Sequence, residues 1–238
     1  MRTTGFMIVA LALSGAYALG QDHHQEHGAK QTAKDEGWTV LFDGTGADNF
    51  RGYKKSELPP CWTVVDGTLH FKRGTGSGNI ITKEQYANFE LSFEWKVSEG
   101  GNSGVMYRVA EIDGEPYLTG PEYQILDNAK HNDGKKAETS AAACYGLYAC
   151  TEDATKPAGE WNTAKLVVNG DKVEHWLNGK KVVEYSLGSD DWKKRIAASK
   201  FKDWKHFGKQ PKGHIAFQDH GDDVWYRNIK IKNLDDKK

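Results

Sequence analysis

The sequence predicts an all-β protein, a sandwich of two antiparallel sheets with one short helix near residues 190–201. Three observations favour this class: short runs of β-branched and aromatic residues, frequent Gly-containing turns, and a single stretch with helix-capping signals. The 238 residues include 26 Gly and only 6 Pro, which is typical of many tight turns rather than of a proline-rich linker. Aromatic residues make up 11% of the chain, so it can build a core and is too aromatic for a disordered protein.

The predicted strands come from runs with a period of two residues. In chain order they are 38–42, 62–65, 68–71, 89–97, 103–109, 121–127, 164–168, 173–177, 181–185, 213–219 and 224–231. Asp66-Gly67, Asn169-Gly170 and Asn178-Gly179 are the dipeptides that favour two-residue hairpin turns. Ser189 and Asp190 are suitable caps for the one predicted helix.

The N-terminus predicts a secretory signal peptide over residues 1–20, since Arg2 precedes an apolar run and small residues follow it. Residues 21–36 are polar and predict a disordered tether, and residues 37–234 predict a single domain. No cysteine lies near the cleavage site, so a lipid anchor is not indicated, and the apolar run is too short to span a bilayer. We therefore expect a secreted or periplasmic protein without membrane insertion.

The net charge limits the classes of binding partner, and the cysteine content limits the number of disulfide bonds. The formal net charge of −1 argues against a nucleic-acid binder, which needs a basic excess. The three cysteines are Cys61, Cys144 and Cys150, an odd count that allows one disulfide, with Cys144 and Cys150 the nearest pair, and leaves at least one thiol. The sequence does not indicate an oligomeric state.

Strand parity assigns polar residues to a shared outer face. If the strands that carry them lie in one curved sheet, that face gathers two carboxylates, an imidazole, a guanidinium and two amides, which suits sugar recognition and acid–base chemistry. These residues are Glu94, Arg108, Glu122, Gln124, Gln218 and His220. Three more candidates for substrate binding are Asn102, Tyr148 and Trp161. The turn-like segments 102–104 and 127–128 also offer hard oxygen ligands for a divalent cation, so a metal is left open.

An ordered set of short motifs along the predicted domain carries a resemblance to a known family. Each piece is weak, whereas the set covers nearly all of residues 37–234 in family order. The matching pieces are Leu41-Phe42-Asp43-Gly44, Ile81-Thr82-Lys83-Glu84-Gln85-Tyr86, Phe89-Glu90-Leu91, Asn102-Ser103-Gly104, Thr119-Gly120-Pro121-Glu122-Tyr123-Gln124, Asp127-Asn128, Gly159-Glu160-Trp161-Asn162, His175-Trp176-Leu177-Asn178-Gly179, Gly213-His214-Ile215, Gln218-Asp219-His220-Gly221 and Arg227-Asn228-Ile229. This ordered set resembles the secreted bacterial 3-keto-disaccharide hydrolase domain family. The resemblance implies a concanavalin A-like jelly roll that acts on glycosides whose sugar C3 is a ketone.

A C3 ketone acidifies the C2 hydrogen, so we expect proton abstraction, elimination of the C1 substituent and hydration. In this hypothesis His220 is the base or acid, Glu122 is its acid–base partner, and Arg108 or a bound cation faces the enolate oxygen. Gln124 and Gln218 orient hydroxyls. The alternatives are a conventional hydrolase that uses two carboxylates such as Glu94 and Glu122, a non-catalytic carbohydrate-binding module, and a purely structural exported domain.

Overall fold

Antiparallel strands make up most of the regular structure in the computed structural model, which describes Met1 and residues 37–112 and 114–235. The strands are β1 (Trp38–Phe42), β2 (Phe50–Gly52), β3 (Trp62–Val65), β4 (Thr68–Phe71), β5 (Ile80–Thr82), β6 (Phe89–Val97), β7 (Asn102–Val109), β8 (Glu122–Leu126), β9 (Asn162–Asn169), β10 (Lys172–Leu177), β11 (Lys180–Ser186), β12 (His214–Phe217) and β13 (Val224–Asn233). One α-helix, α1 (Asp190–Ala197), lies between β11 and β12. Short 3-10 helices span Pro116–Leu118, Asn132–Lys135, Ala137–Thr139 and Lys200–Asp203.

The strands form two sheets. The larger has eight strands in the order β11-β10-β9-β6-β13-β4-β3, with β1 paired to β13, and the smaller has the order β2-β5-β12-β7-β8. The described strand pairs in both sheets are antiparallel, as in β6 with β13 and β7 with β8. Within the described residues, the predicted jelly-roll sandwich of two antiparallel sheets with one short helix is confirmed.

Aromatic side chains fill the space between the sheets. Phe93 and Tyr226 come from the larger sheet and Tyr123 and Phe217 from the smaller, and all four are almost fully buried. The Phe217 and Tyr226 rings meet edge-to-face with centroids 4.9 Å apart, and Phe93 meets Tyr123 at 5.8 Å. Such edge-to-face pairs stabilise the core beyond simple area burial. Alternation in β6 is complete, because every second residue from Phe89 to Val97 is buried.

Local signals in the sequence explain the turns and the helix. Asp66 and Gly67 have φ values of 48° and 70°, and Asn178 and Gly179 have 48° and 82°, the positive pairs of a two-residue hairpin. The third hairpin turns one residue later than predicted, since Asn169 still pairs with Lys172. The Ser189 side chain accepts a hydrogen bond from the Trp192 backbone N–H, so α1 begins where predicted.

Some expectations are corrected or fall outside the described residues. The two three-residue strands β2 and β5 were not predicted, and the helix predicted to 201 ends at Ala197 before the separate 3-10 turn. Cys61, Cys144 and Cys150 are all free, so the Cys144–Cys150 bridge does not form. The predicted signal peptide and tether lie on residues outside those the structure describes, apart from Met1. Among the described helices, none is long and apolar enough to cross a membrane.

Candidate active site on the five-stranded sheet

A cavity of about 500 Å³ opens on the face of the five-stranded sheet that is turned away from the larger sheet. We call this the outer face of the five-stranded sheet. Tyr123 and Ile125 of β8 are buried in the core between the sheets, so the intervening Glu122 and Gln124 point outward into the cavity. The polar lining consists of Asn102, Glu122, Gln124, Lys200, Gln218, Asp219 and His220, and the aromatic lining consists of Tyr117, Tyr145, Phe201, Trp204 and Phe207.

Glu122 lies across the neighbouring strand β7 at Gly104. A Cβ at Gly104 would overlap the Glu122 carboxylate and would lie 2.9 Å from Glu122 Cγ. Gly104 pairs with Gln124, and Met106 pairs with Glu122, so the carboxylate reaches two residues along β7 from its own register partner. Glycine is required here by this close approach rather than by backbone conformation. The position of the carboxylate therefore depends on the missing side chain at Gly104.

The Glu122 carboxyl group is held in an environment that favours its neutral form. Burial raises its pKa from 4.5 to about 8. The positive charge of Lys200 lowers this pKa and the negative charge of Asp133 raises it, and both effects are smaller than that of burial. The ion pairs among the described residues do not include Glu122. A carboxyl group with a pKa near the working pH is suited to exchange protons with a substrate.

A chain of side-chain amides connects Glu122 to His131. The Gln124 amide, turned so that its nitrogen faces the carboxylate, donates to Glu122 Oε1 at 3.2 Å and to the Ser103 carbonyl at 3.0 Å. The Gln124 oxygen then lies 3.4 Å from the Asn102 amide, which lies 3.5 Å from His131 Nε2. With Asn102 turned in the same sense, its nitrogen faces the Gln124 oxygen and its oxygen faces His131 Nε2. His131 Nδ1 accepts from the Asp133 backbone N–H at 3.1 Å, so the neutral imidazole carries its proton on Nε2. These contacts fix the direction in which Gln124 faces the carboxylate.

The end of β12 supplies the opposite polar wall. Gln218 is held by its backbone, whose N–H donates to the Gly104 carbonyl at 2.9 Å. Gln218 Oε1 is buried and has no hydrogen-bond partner, although its residue lines the cavity. His220 follows at the exposed rim, where its ring lies edge-to-face with His131 at 6.5 Å. Asp219 fixes this turn by accepting from the Gly221 and Gly78 N–H groups at 2.9 and 2.7 Å.

Lys200 is the cation of the cavity, and it was not predicted. It begins the 3-10 turn after α1, and its ammonium lies 4.3 Å from the centroid of the Tyr145 ring and 5.4 Å from that of Phe201. In the sequence it is one of several lysines between residues 193 and 212, and no spacing distinguishes it from the others. Only the fold of the segment after α1 brings it to the Glu122 side of the cavity.

Arg108 does not line the cavity, which corrects its predicted place beside Glu122. Its φ of 51° interrupts the alternation of β7, where Tyr107 and Arg108 together lie opposite Ile215 as a β-bulge. The buried guanidinium instead donates to the carbonyls of Ala87 at 2.9 Å and Gly170 at 2.8 Å. Arg108 therefore joins two loops, and beyond the bulge Val109 packs with Met106 on the outer face.

Glu94 and Trp161 belong to the other sheet. Glu94 is on β6, facing away from the core, and accepts from Arg227 at 2.8 Å and Asn228 at 2.7 Å. The Arg227 guanidinium also lies 4.1 Å from the Trp161 ring centroid. The core between the sheets separates this group from Glu122, so Glu94 and Glu122 cannot flank one glycosidic bond as the two-carboxylate alternative requires.

Tyr148 also lies outside the cavity lining. Its ring stacks on Tyr185 at 4.6 Å, and its hydroxyl donates to Asp191 at 2.8 Å. The segments proposed as cation ligands form turns: Asp127 accepts from the Gly100 and Ala129 N–H groups. Within the described residues, no group of three or more His, Cys, Asp or Glu side chains is arranged to hold a metal ion.

Comparison with known proteins identifies the family. Residues 37–232 match the model of the 3-keto-alpha-glucoside-1,2-lyase-like domain. A curated protein of Bacteroides thetaiotaomicron, named 3-keto-disaccharide hydrolase, is 39% identical over 230 residues, which cover 84% of this chain and 79% of the relative. The chain is therefore a carbohydrate-active enzyme of the hydrolase or lyase type. It belongs to the 3-keto-alpha-glucoside-1,2-lyase-like domain family.

Solved structures agree with this assignment. A crystal structure of a candidate glycosyl hydrolase from Parabacteroides distasonis is 34% identical, with a TM-score of 0.78, covering 85% of this chain and 96% of that one. A second from the same organism is 31% identical, with a TM-score of 0.66, covering 83% of this chain and 99% of that one. Their likeness extends over the whole sandwich rather than over one motif.

Proposed function

We propose that this enzyme cleaves the glycosidic bond of 3-keto-glycosides, including disaccharides, by proton abstraction at C2, elimination and hydration. The observation that carries the proposal is the Glu122 carboxyl group, which faces a cavity large enough for a small molecule and has a pKa raised to about 8. Membership of the family and the name of the Bacteroides relative support the 3-keto substrate class.

The first step removes the proton from C2, which the C3 ketone makes acidic. Glu122 in its carboxylate form takes this proton, and the electron pair of the C–H bond forms the enolate with negative charge on O3. Lys200, the cation of the cavity, stabilises that charge in place of Arg108. Gln124 holds the carboxylate, and the unpartnered Gln218 Oε1 accepts a hydrogen bond from a sugar hydroxyl.

The second step expels the leaving group. The enolate re-forms the C3 ketone, a C1=C2 double bond forms, the bond from C1 to the leaving oxygen breaks, and His220 at the rim protonates that oxygen. Water then adds across the double bond. Its oxygen bonds to C1 and its released proton passes to His220, which has given its own to the leaving group. Glu122, after exchange of its proton with solvent, protonates C2. The products are the 3-keto-sugar and the free alcohol. The predicted signal peptide supports a secreted or periplasmic site of action for this carbohydrate substrate.

The experiment is product analysis by mass spectrometry in D₂O, with methyl 3-keto-α-glucoside and its unoxidised parent as substrates. We expect turnover of the keto substrate alone, and a product that carries one deuterium at C2 when sampled early. The released keto-sugar, incubated separately with buffer and with enzyme, controls for later exchange. Cleavage without deuterium at C2, or equal cleavage of the unoxidised glycoside, contradicts the proposal.

A further inference from the structure

The cavity wall has two chemically different halves. The polar half comes from the strands of the five-stranded sheet and includes Glu122, Gln124 and Gln218. The other half comes from the segment 116–120 before β8 and the segment 200–208 after α1, and it presents the aromatic rings of Tyr117 and Trp204. The proposed reaction uses Lys200 from this half but neither of the two rings, so Tyr117 and Trp204 have a separate role.

The aromatic half is rigid. The Tyr117 and Trp204 ring centroids are 5.7 Å apart at an angle of 40°, and both side chains are partly exposed. Behind Trp204, Phe201 packs edge-on at 4.9 Å, and Phe201 stacks on Phe207 at 4.3 Å. The Gly208 N–H donates to the Thr119 carbonyl at 2.8 Å, which joins the two segments. The two rings are therefore held in place before any ligand binds, which lowers the entropic cost of binding.

The polar half determines which part of a substrate lies where. The buried Gln218 Oε1 lacks a hydrogen-bond donor, and a hydroxyl-rich ring satisfies it, whereas an apolar ring leaves it unpaired. The ketosugar therefore lies over Glu122 and Gln218. Its substituent at C1 leaves this polar half and meets the aromatic half, where a flat apolar surface gains most from contact with the rings.

We propose that Tyr117 and Trp204 bind the leaving group, and that the preferred substrates have a leaving group that is a ring with a flat apolar face. The C–H face of a second pyranose and an aryl ring share this chemistry. This inference depends on the proposed function only for the assignment of the reacting sugar, because stacking on the two rings is a binding property.

The kinetic test uses three substrates: methyl 3-keto-α-glucoside, a 3-keto-α-disaccharide and 4-nitrophenyl 3-keto-α-glucoside. In Trp204→Ala and Tyr117→Ala we expect kcat/KM for a ring-bearing substrate to fall roughly tenfold or more, with less than a threefold change for the methyl glycoside. Loss on the disaccharide alone identifies a sugar ring as the ligand, and loss on the aryl glycoside alone identifies an aryl ring. Equal losses on all three, or none, overturn the inference.

Calorimetric binding separates this inference from the proposed function. The probes are methyl α-glucoside, phenyl α-glucoside and an unoxidised α-linked disaccharide, which need no turnover. We expect the wild type and Trp204→Phe to bind at least one ring-bearing probe more tightly than the methyl glucoside, and Trp204→Ala to lose that difference. Trp161→Ala, which removes an aromatic ring on the other sheet, is the matched control and keeps it. Equal binding of all probes by the folded wild type contradicts the aromatic site, whatever the enzyme cleaves.

Discussion

Glu94 and Glu122 both point away from the core, on the outer faces of the two sheets, yet their polar partners differ. Glu94 on the larger sheet is half-buried and paired with Arg227 at 2.8 Å and Asn228 at 2.7 Å. Glu122 on the smaller sheet accepts from the neutral Gln124 amide, and its pKa is raised to about 8 by burial. Hydrogen bonds from Arg227 and Asn228 occupy the Glu94 oxygens, whereas the raised pKa of Glu122 suits it to exchange protons near neutral pH.

The comparison of these two faces shows what strand parity can predict about the position of a side chain. Parity says which face of its own strand a residue occupies, and both glutamates do point away from the core. It does not say which sheet the strand joins. Glu94 therefore appeared beside Glu122 in the sequence-based prediction, although the whole core lies between them in the structure.

The largest expected effect is on activity. Glu122→Gln removes the group that takes the C2 proton and should lower kcat/KM for methyl 3-keto-α-glucoside by roughly 100- to 10,000-fold, as measured by product formation. Glu94→Gln, the control, makes the same chemical change on the other sheet and should alter kcat/KM less than twofold. In the wild type, kcat/KM should rise with pH toward about 8, because the carboxylate form is the base. Equal losses of kcat/KM in the two variants contradict the comparison. A wild-type kcat/KM that falls as the pH rises toward 8 also contradicts it.

A smaller effect is expected when the carboxylate is displaced rather than removed. The added methyl of Gly104→Ala meets the end of the Glu122 side chain, which is flexible and moves away. A displacement of about 1 Å from the reacting atom costs on the order of 100-fold in rate, so we expect a 10- to 100-fold loss of kcat/KM.

The melting temperature of Gly104→Ala should change little, because the neighbour that must move is a side-chain terminus. Gly46→Ala is the control, since its Cβ meets only Asp48 at an ordinary 3.4 Å. Wild-type kinetics in Gly104→Ala would show that the position of the carboxylate is not critical.

The smallest expected effect is on stability. The folded-state pKa of Glu122 lies near 8 and the ordinary value is 4.5, so the folded protein holds a proton that the unfolded chain releases. Wild-type stability from this group is therefore lost as pH rises from about 4.5 to 8. The Glu122→Gln variant cannot ionise at this position and so does not undergo this loss of stability. It should have a free energy of unfolding at pH 8 that is higher by about 1–3 kcal/mol, measured by urea denaturation.

Two further measurements sharpen this stability prediction. At pH 4 the Glu122→Gln variant and the wild type should differ by less than at pH 8, because the wild-type carboxyl group is then protonated in both states. Glu94→Gln weakens a partly exposed ion pair and should lower stability by no more than about 1 kcal/mol. A Glu122→Gln variant that is less stable than the wild type at pH 8 contradicts the assigned environment.

Most of the fold was predictable because the strands carry regular alternation and the hairpins carry Asp-Gly or Asn-Gly turns. Strands β2 and β5 were missed because three residues are too few to show a period. Arg108 was misplaced because a bulge with a positive φ reverses the strand parity, and no residue type near it in the sequence predicts such a bulge. Lys200, Tyr117 and Trp204 were missed because loops, rather than strands, carry them to the cavity.

The free thiols have a consequence for how the chain matures. Cys61 and Cys144 are fully buried and unbridged, and burial raises the pKa of Cys144 to about 12, which suppresses its thiolate. Native topology thus requires no disulfide bond. Chemical reduction should therefore leave the described fold intact.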